Sequence, residues 1–152
     1  MSEAAPLTPD LLALAQRAGG MLRARRETIA VAEGAAGGLI STSLLSVAGA
    51  STFYLGGAVI YTLAASRAFM AGAVPAPPNL RGASEPWALY LAHSVAAKLE
   101  ATWGIGEGGA AGPRQRHQQK AVPQAEIAPV AVSKHPDDVA RRAVERHRED
   151  KC

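Results

Sequence analysis

Apolar and polar positions fall in blocks along this chain, and the blocks read as helix, strand and turn in repeating order. Thr8-Pro9-Asp10 predicts a helix start, with Thr8 as N-cap and Pro9 at the first helical position. Leu11, Leu14, Ala15, Ala18 and Leu22 follow at helical spacing on one face. Arg23, Arg25 and Arg26 then bring positive charge to the negative end of the helix dipole. Residues 28–32 form a short apolar, β-prone run, residues 33–38 a glycine-rich turn, and residues 39–47 a helix leaving that turn. Residues 49–52 read as a loop, 56–62 as a second buried strand and 63–70 as a short helix.

Val74-Pro75-Ala76-Pro77-Pro78-Asn79 is neither helix nor central strand, because its prolines fix φ and remove backbone donors. Ser84-Glu85-Pro86 opens the clearest helix of the chain: Ser84 caps it, Glu85 sits near its positive end and Pro86 lies in its first turn. Its apolar positions are Ala88, Leu91, Ala92, Val95 and Leu99. Residues 102–106 predict a third strand, followed by the glycine-rich segment 107–113. This alternation indicates an α/β layered domain.

After Pro113 the pattern changes. Arg114 to Lys120 is a polar block without apolar periodicity, and residues 127–132 predict a strand that Pro129 confines to a sheet edge. Residues 137–150 predict a terminal helix with acidic Asp137-Asp138 first and a thin apolar face. The expected organisation is one domain, with residues 1–113 as the α/β core and residues 114–152 as its divergent tail.

Composition narrows the function classes. A chain of 152 residues with 48% hydrophobic and 19% charged residues suits a compact fold with its own core. The net charge of +3 is small, and no basic stripe alternates with aromatic residues, so nucleic acid is not an expected partner. From Gly34 to Ser66 there is no charged side chain, a length that matches a membrane span. Glycine pairs and hydroxyl clusters interrupt it, so it predicts buried α/β core and no membrane partner. The single cysteine, Cys152, allows no intrachain disulfide. The start of the chain carries no basic segment leading into an apolar run, so no signal peptide is expected and the expected location is cytoplasmic. His93, His117, His135 and His147 lack metal-ligand spacing, and neither a metal nor a cofactor is expected. Arg114 and Arg116 read as a solvated basic loop.

Four motifs carry a family resemblance. Ile29-Ala30-Val31-Ala32-Glu33-Gly34-Ala35-Ala36-Gly37-Gly38 resembles a strand followed by Ala-Glu-Ser-Cys/Ser-Thr-Gly-Gly. Residues 47–61 resemble a Pro-Gly-Ser-Ser…Phe…Gly-Gly-Val-Val-Thr-Tyr run. Gly82-Ala83-Ser84-Glu85-Pro86 resembles Gly-x-Val-Ser-Glu-Pro, and residues 106–113 resemble a Thr-Gly-Ile-Ala-Gly-Pro loop. Together, in this order over roughly residues 7–113, they are similar to the CinA C-terminal family, the nicotinamide mononucleotide amidohydrolases. The last quarter matches poorly, with a faint echo of the family's Lys-Pro-Val-Gly-Thr strand entry at Lys120-Ala121-Val122.

The resemblance implies a three-layer α/β/α domain with a mixed, mainly parallel sheet. It also implies a reaction in which a serine attacks a carboxamide, releasing ammonia, while a tyrosine and a lysine activate it. A neutral serine needs such an activating base. The tyrosine position is Tyr61. The serine position holds Gly34 and the lysine position Ser66, with Arg67 beside it; arginine stays protonated and cannot accept the proton. Of the remaining hydroxyls, Ser41 and Ser43 are expected to bond backbone groups in the first turns of a helix. Without the resemblance, Tyr61 reads as a strand-end core residue.

The turn Glu33, Gly34, Ala35, Ala36, Gly37 and Gly38 and the loop containing Gly109, Ala111 and Gly112 would adjoin at strand C-terminal ends, where open α/β sheets bind ligands. Exposed amides there suit a phosphate, although such turns also serve only to reverse the chain. Two functional readings follow. One is a catalytically impaired relative that binds a small nucleotide or acts as a scaffold. The other is an active amidohydrolase on a pyridine nucleotide with a rearranged site. The apolar helix faces are also compatible with a homo-oligomer.

Overall fold

The first helix, α1 (Pro9–Arg25), begins where Thr8 Oγ1 accepts a hydrogen bond from Leu11 N at 3.3 Å. It ends at Arg26, whose left-handed φ of 54° lets its N–H reach the carbonyls of Leu22 and Arg23. The computed structural model describes residues 7–78, 80, 82–109 and 130–134. After α1 come β1 (Ile29–Glu33), α2 (Leu39–Leu45), a 3₁₀ turn (Ala50–Thr52), β2 (Tyr54–Val59), α3 (Leu63–Met70), α4 (Glu85–Leu99), β3 (Trp103–Glu107) and β4 (Val130–Lys134).

The strands form one sheet in the order β2-β1-β3-β4. β2, β1 and β3 run parallel, and β4 is antiparallel to β3. The domain is therefore α/β with a mixed, mainly parallel sheet. The strand expected at residues 127–132 stands at the edge, at Val130–Lys134; residues 127–129 and the helix expected at 137–150 lie outside the described residues.

Side-chain alternation sends the residues of β1 to two cores. Ile29 and Val31 pack with Ala15, Leu22, Leu44, Val47 and Phe53 from the α1 and α2 layer. Ala30 and Ala32 pack with Trp87, Tyr90, Leu91 and Val95 from α4. This two-sided burial is why β1 reads as an unbroken apolar run. On the α4 side, the backbone of the helix lies directly on β3. A Cβ placed on Gly104 would come within 2.0 Å of Ala92 O, and one on Gly106 within 1.9 Å of Ala88 O. Gly104 and Gly106 on the strand and Ala88, Ala92 and Ala96 on the helix are therefore one packing device.

Several boundaries differ from the sequence pattern. β1 and β3 each run one residue further, so Glu33 and Glu107 belong to strands and not to turns. β2 occupies Tyr54–Val59 rather than 56–62, because the register with β1 shifts between Ile29 and Ala30 and the chain leaves the sheet after Val59. Among the described residues it is an edge strand with alternating exposure, not a buried one; Leu55 and Val59 are exposed. The loop expected at 49–52 contains a 3₁₀ turn. Leu14, on the expected apolar face of α1, is exposed.

At the opposite ends of β1 and β3, Thr28 N donates to Thr102 Oγ1 at 3.1 Å and Thr102 N to Thr28 Oγ1 at 3.0 Å. This reciprocal clamp and the parallel register Ile29↔Trp103 to Glu33↔Glu107 fix how the two strands end.

Candidate functional site

From β1 the chain crosses to β2 on one side, and β3 is joined on the other side by β4. The carboxyl ends of β1 and β3 therefore flank a switch point of the sheet, the usual ligand crevice of open α/β folds. Glu33 and Glu107 end these strands as register partners. Both are buried, Glu33 completely and Glu107 with 3% exposure. Buried carboxylates demand donors, and the local turns are built to supply them.

Glu33 takes its donors from α2. Ile40 N donates to its Oε2 and Ser41 N to its Oε1, both at 3.0 Å, and Ser41 Oγ also donates to Oε1. Gly38, the N-cap of α2, has φ 101° and no capping side chain, so Glu33 satisfies amides that a capping residue would otherwise take. Ser41 also hydrogen-bonds Tyr54. Burial pushes the Tyr54 hydroxyl above its ordinary pKa; the bond to Ser41 opposes that rise and the charge of Glu33 adds to it.

Glu107 is bound by amides from both glycine-rich segments. Its Oε2 accepts from Gly34 N at 2.9 Å and Ala36 N at 2.8 Å, and its Oε1 from Gly109 N at 2.6 Å. Gly34 N also reaches the Glu107 backbone carbonyl at 3.0 Å. The amides of Gly34 and Ala36, expected to face a ligand anion, thus hold the chain's own carboxylate. Gly37 N bonds Gly34 O, and Gly37 adopts φ 63°, a conformation that favours glycine. Ala35 is half-buried in the same turn.

Ile60 N donates to Glu33 O at 2.7 Å, which carries the chain past Gly34 as it leaves β2. Gly34 is buried, and a Cβ there would lie 3.3 Å from Ile60 O and 3.4 Å from Glu107 O. Beyond Ile60 a cleft of about 190 Å³ is lined by Ile60, Tyr61, Thr62, Leu63, Leu80, Gly82, Ala83, Trp87 and Gly109. None of these carries a charge. Tyr61 is 55% exposed at the cleft, whereas Ser66 lies 3% exposed within α3 and is not among the lining residues. Arg67 is exposed. Ala111 and Gly112 lie outside the described residues.

The hydroxyls nearest the turn have structural partners: Thr42 Oγ1 donates to Gly38 O, and Ser43 Oγ to Leu39 O. Ser84 Oγ accepts from Trp87 N as the cap of α4. Sequence reasoning missed Glu107. Its only trace in the sequence is an acid ending an apolar run directly before two glycines; the register that pairs it with Glu33 exists only in the folded sheet. Among the described residues no group of three or more His, Cys, Asp or Glu side chains is placed to hold a metal, and no helix is long and apolar enough to cross a membrane.

The chain matches the family model of the CinA C-terminal domain over residues 11–150. It is 36% identical over 104 residues to a CinA-like protein of Acaryochloris marina, covering 68% of this chain and 25% of that protein. To a CinA-like protein of Salinibacter ruber it is 43% identical over 96 residues, covering 62% and 23%. The chain thus spans about a quarter of the length of these curated relatives. Among solved structures it resembles the competence/damage inducible protein CihA of Agrobacterium tumefaciens, with TM-score 0.66 and 27% identity, over 84% of this chain and 76% of the other. A competence-damaged protein (CinA) superfamily protein of Escherichia coli shares the fold at TM-score 0.65 and 19% identity, over 84% and 80% of the two chains.

Proposed function

From the membership of this chain in the CinA C-terminal domain family, we propose that it is a ligand-binding relative of the nicotinamide mononucleotide amidases that does not use their serine route. The observation that carries this reading is Gly34. The residue at the nucleophile position of the motif has no side chain, is walled by two backbone carbonyls and gives its amide to Glu107. Ser66, at the position of the activating lysine, is buried in α3 and has no basic group. Nucleophilic catalysis needs both parts. Neighbouring hydroxyls do not stand in for them, because those of Ser41, Thr42 and Ser43 donate to Glu33, Gly38 O and Leu39 O.

The cleft supports binding. Its Tyr61 and Trp87 walls suit a flat ring, and the backbone around Gly82, Ala83 and Gly109 suits an amide or hydroxyl. A nicotinamide compound has that chemistry. Titration calorimetry of the whole chain with nicotinamide riboside and nicotinamide mononucleotide tests the reading. For the riboside we expect a dissociation constant near 1 mM, about 4 kcal/mol, weakened at least tenfold by Tyr61→Ala. Absence of heat with both compounds would leave the scaffold role and overturn the binding role.

A further inference from the structure

We propose that Glu107 is a built-in anion: its carboxylate fills the anion seat formed by the amides of Gly34, Ala36 and Gly109, and so closes that seat to external anions. Three amides from segments more than seventy positions apart converge on this one group, at 2.9, 2.8 and 2.6 Å. Backbone amides arranged in this way form a nest that binds phosphate or carboxylate wherever one is available. Here the strand beneath supplies it. Glu107 is 3% exposed, so water does not share its oxygens to any great extent, and an incoming anion would have to displace a tethered one. The tether gives the internal carboxylate a high effective concentration that a free ligand must outcompete.

The neighbouring charge reinforces the closure. Glu33 is the register partner of Glu107 and is wholly buried, so a ligand phosphate reaching the turn meets two carboxylates. None of the described residues lining the adjoining cleft is cationic. Like charges in a site shielded from water repel strongly. Gly109 belongs both to the seat and to the cleft wall, which places the closed seat at the cleft's edge. One consequence rests on the binding role proposed above: the cleft prefers the uncharged nucleoside over its phosphate ester. The seat itself does not depend on that role.

The test is thermal unfolding of the full chain with sodium acetate, sodium phosphate or sodium chloride at matched ionic strength. For the wild type we expect the three salts to give the same midpoint. Glu107→Ala empties the seat; its midpoint falls, and acetate or phosphate raises it above the chloride value by about 3 °C or more. Glu107→Gln keeps the volume without the charge, so it is destabilised but gains nothing from either anion. If Glu107→Ala does not fold in chloride, its refolding yield in acetate is the reading, with recovery supporting the proposal and no recovery contradicting it. A wild-type midpoint raised by phosphate as much as that of Glu107→Ala, or a folded Glu107→Ala indifferent to both anions, overturns the proposal. Calorimetry with riboside and mononucleotide then reads the consequence separately: anion rescue of Glu107→Ala without binding of either compound leaves the seat standing and removes the cleft ligand.

Discussion

Glu33 and Glu107 stand side by side as the last paired residues of β1 and β3, and each carboxylate is satisfied by a different set of donors. Glu33 draws on the first turn of α2, and Glu107 on the two glycine-rich segments. The crevice at the switch point is therefore held in shape from within.

The Glu33 half predicts a stability effect. Glu33→Gln retains one acceptor oxygen but turns an amide donor toward the donors of Ile40 and Ser41. Hydrogen bonds to charged groups contribute about 1.5–3 kcal/mol each, and a buried mismatch adds desolvation cost. Urea unfolding is expected to show a loss of about 3 kcal/mol, with the α2 amides exchanging hydrogen faster than in the wild type. A loss below about 1 kcal/mol would mean that Glu33 does not hold α2.

Helix–strand contact gives a second prediction, with an internal control. Gly106→Ala would place a Cβ 1.9 Å from Ala88 O and 2.6 Å from Ala92 N, so α4 must move off β3. Overpacking of this kind costs about 3 kcal/mol or more. Gly20→Ala, within α1 and with nothing within 4 Å of the new Cβ, should instead stabilise by about 0.5–1 kcal/mol. Denaturation midpoints moving in the same direction for both variants would contradict the packing argument.

Tyr54 predicts an alkaline dependence. Burial, opposed by the Ser41 hydrogen bond and reinforced by Glu33, holds its pKa above the ordinary 10.0. A folded-state pKa raised above the unfolded one contributes stability that is full below the unfolded value and lost as pH rises through the folded value. Stability should therefore fall as pH climbs past 10, and Tyr54→Phe should remove that part of the slope. Ultraviolet absorbance of tyrosinate, compared between the two proteins, locates the titration. Equal alkaline slopes would contradict it.

Much of this was legible in the sequence, and the unread part has a physical reason. Thr8 and Ser84 announce their helices because a cap is a local interaction. Glu33, with its glycine turn, marked the crevice for the same reason. Glu107 did not announce itself, because its partners Gly34 and Ala36 lie across the sheet and become neighbours only through the β1–β3 register. The edge position of β2 was also hidden: its apolar composition matches a buried strand, and only sheet order exposes Leu55 and Val59.

The proposed nucleophile and base positions, Gly34 and Ser66, predict a restoration. Gly34→Ser sets a Cβ 3.3 Å from Ile60 O, so the backbone must yield by a few tenths of an ångström. Ser66→Lys places an amine where exposure is 3%, and desolvation favours its neutral, proton-accepting form. Residues acting as one unit are not additive. Each single variant should stay near the wild type in ammonia release, and the double variant should exceed both by about 100-fold, the lower end for a positioned base. A double variant that is inactive, with its fold confirmed by circular dichroism, would show that more than these two side chains separates the site from an amidase.

Binding without hydrolysis, the role proposed for the wild-type chain, is decided by whether the purified protein releases ammonia from nicotinamide mononucleotide. The expected rate is indistinguishable from that of a heat-killed control at any protein concentration. Ammonia released well above that control, and abolished by Tyr61→Phe, would contradict it.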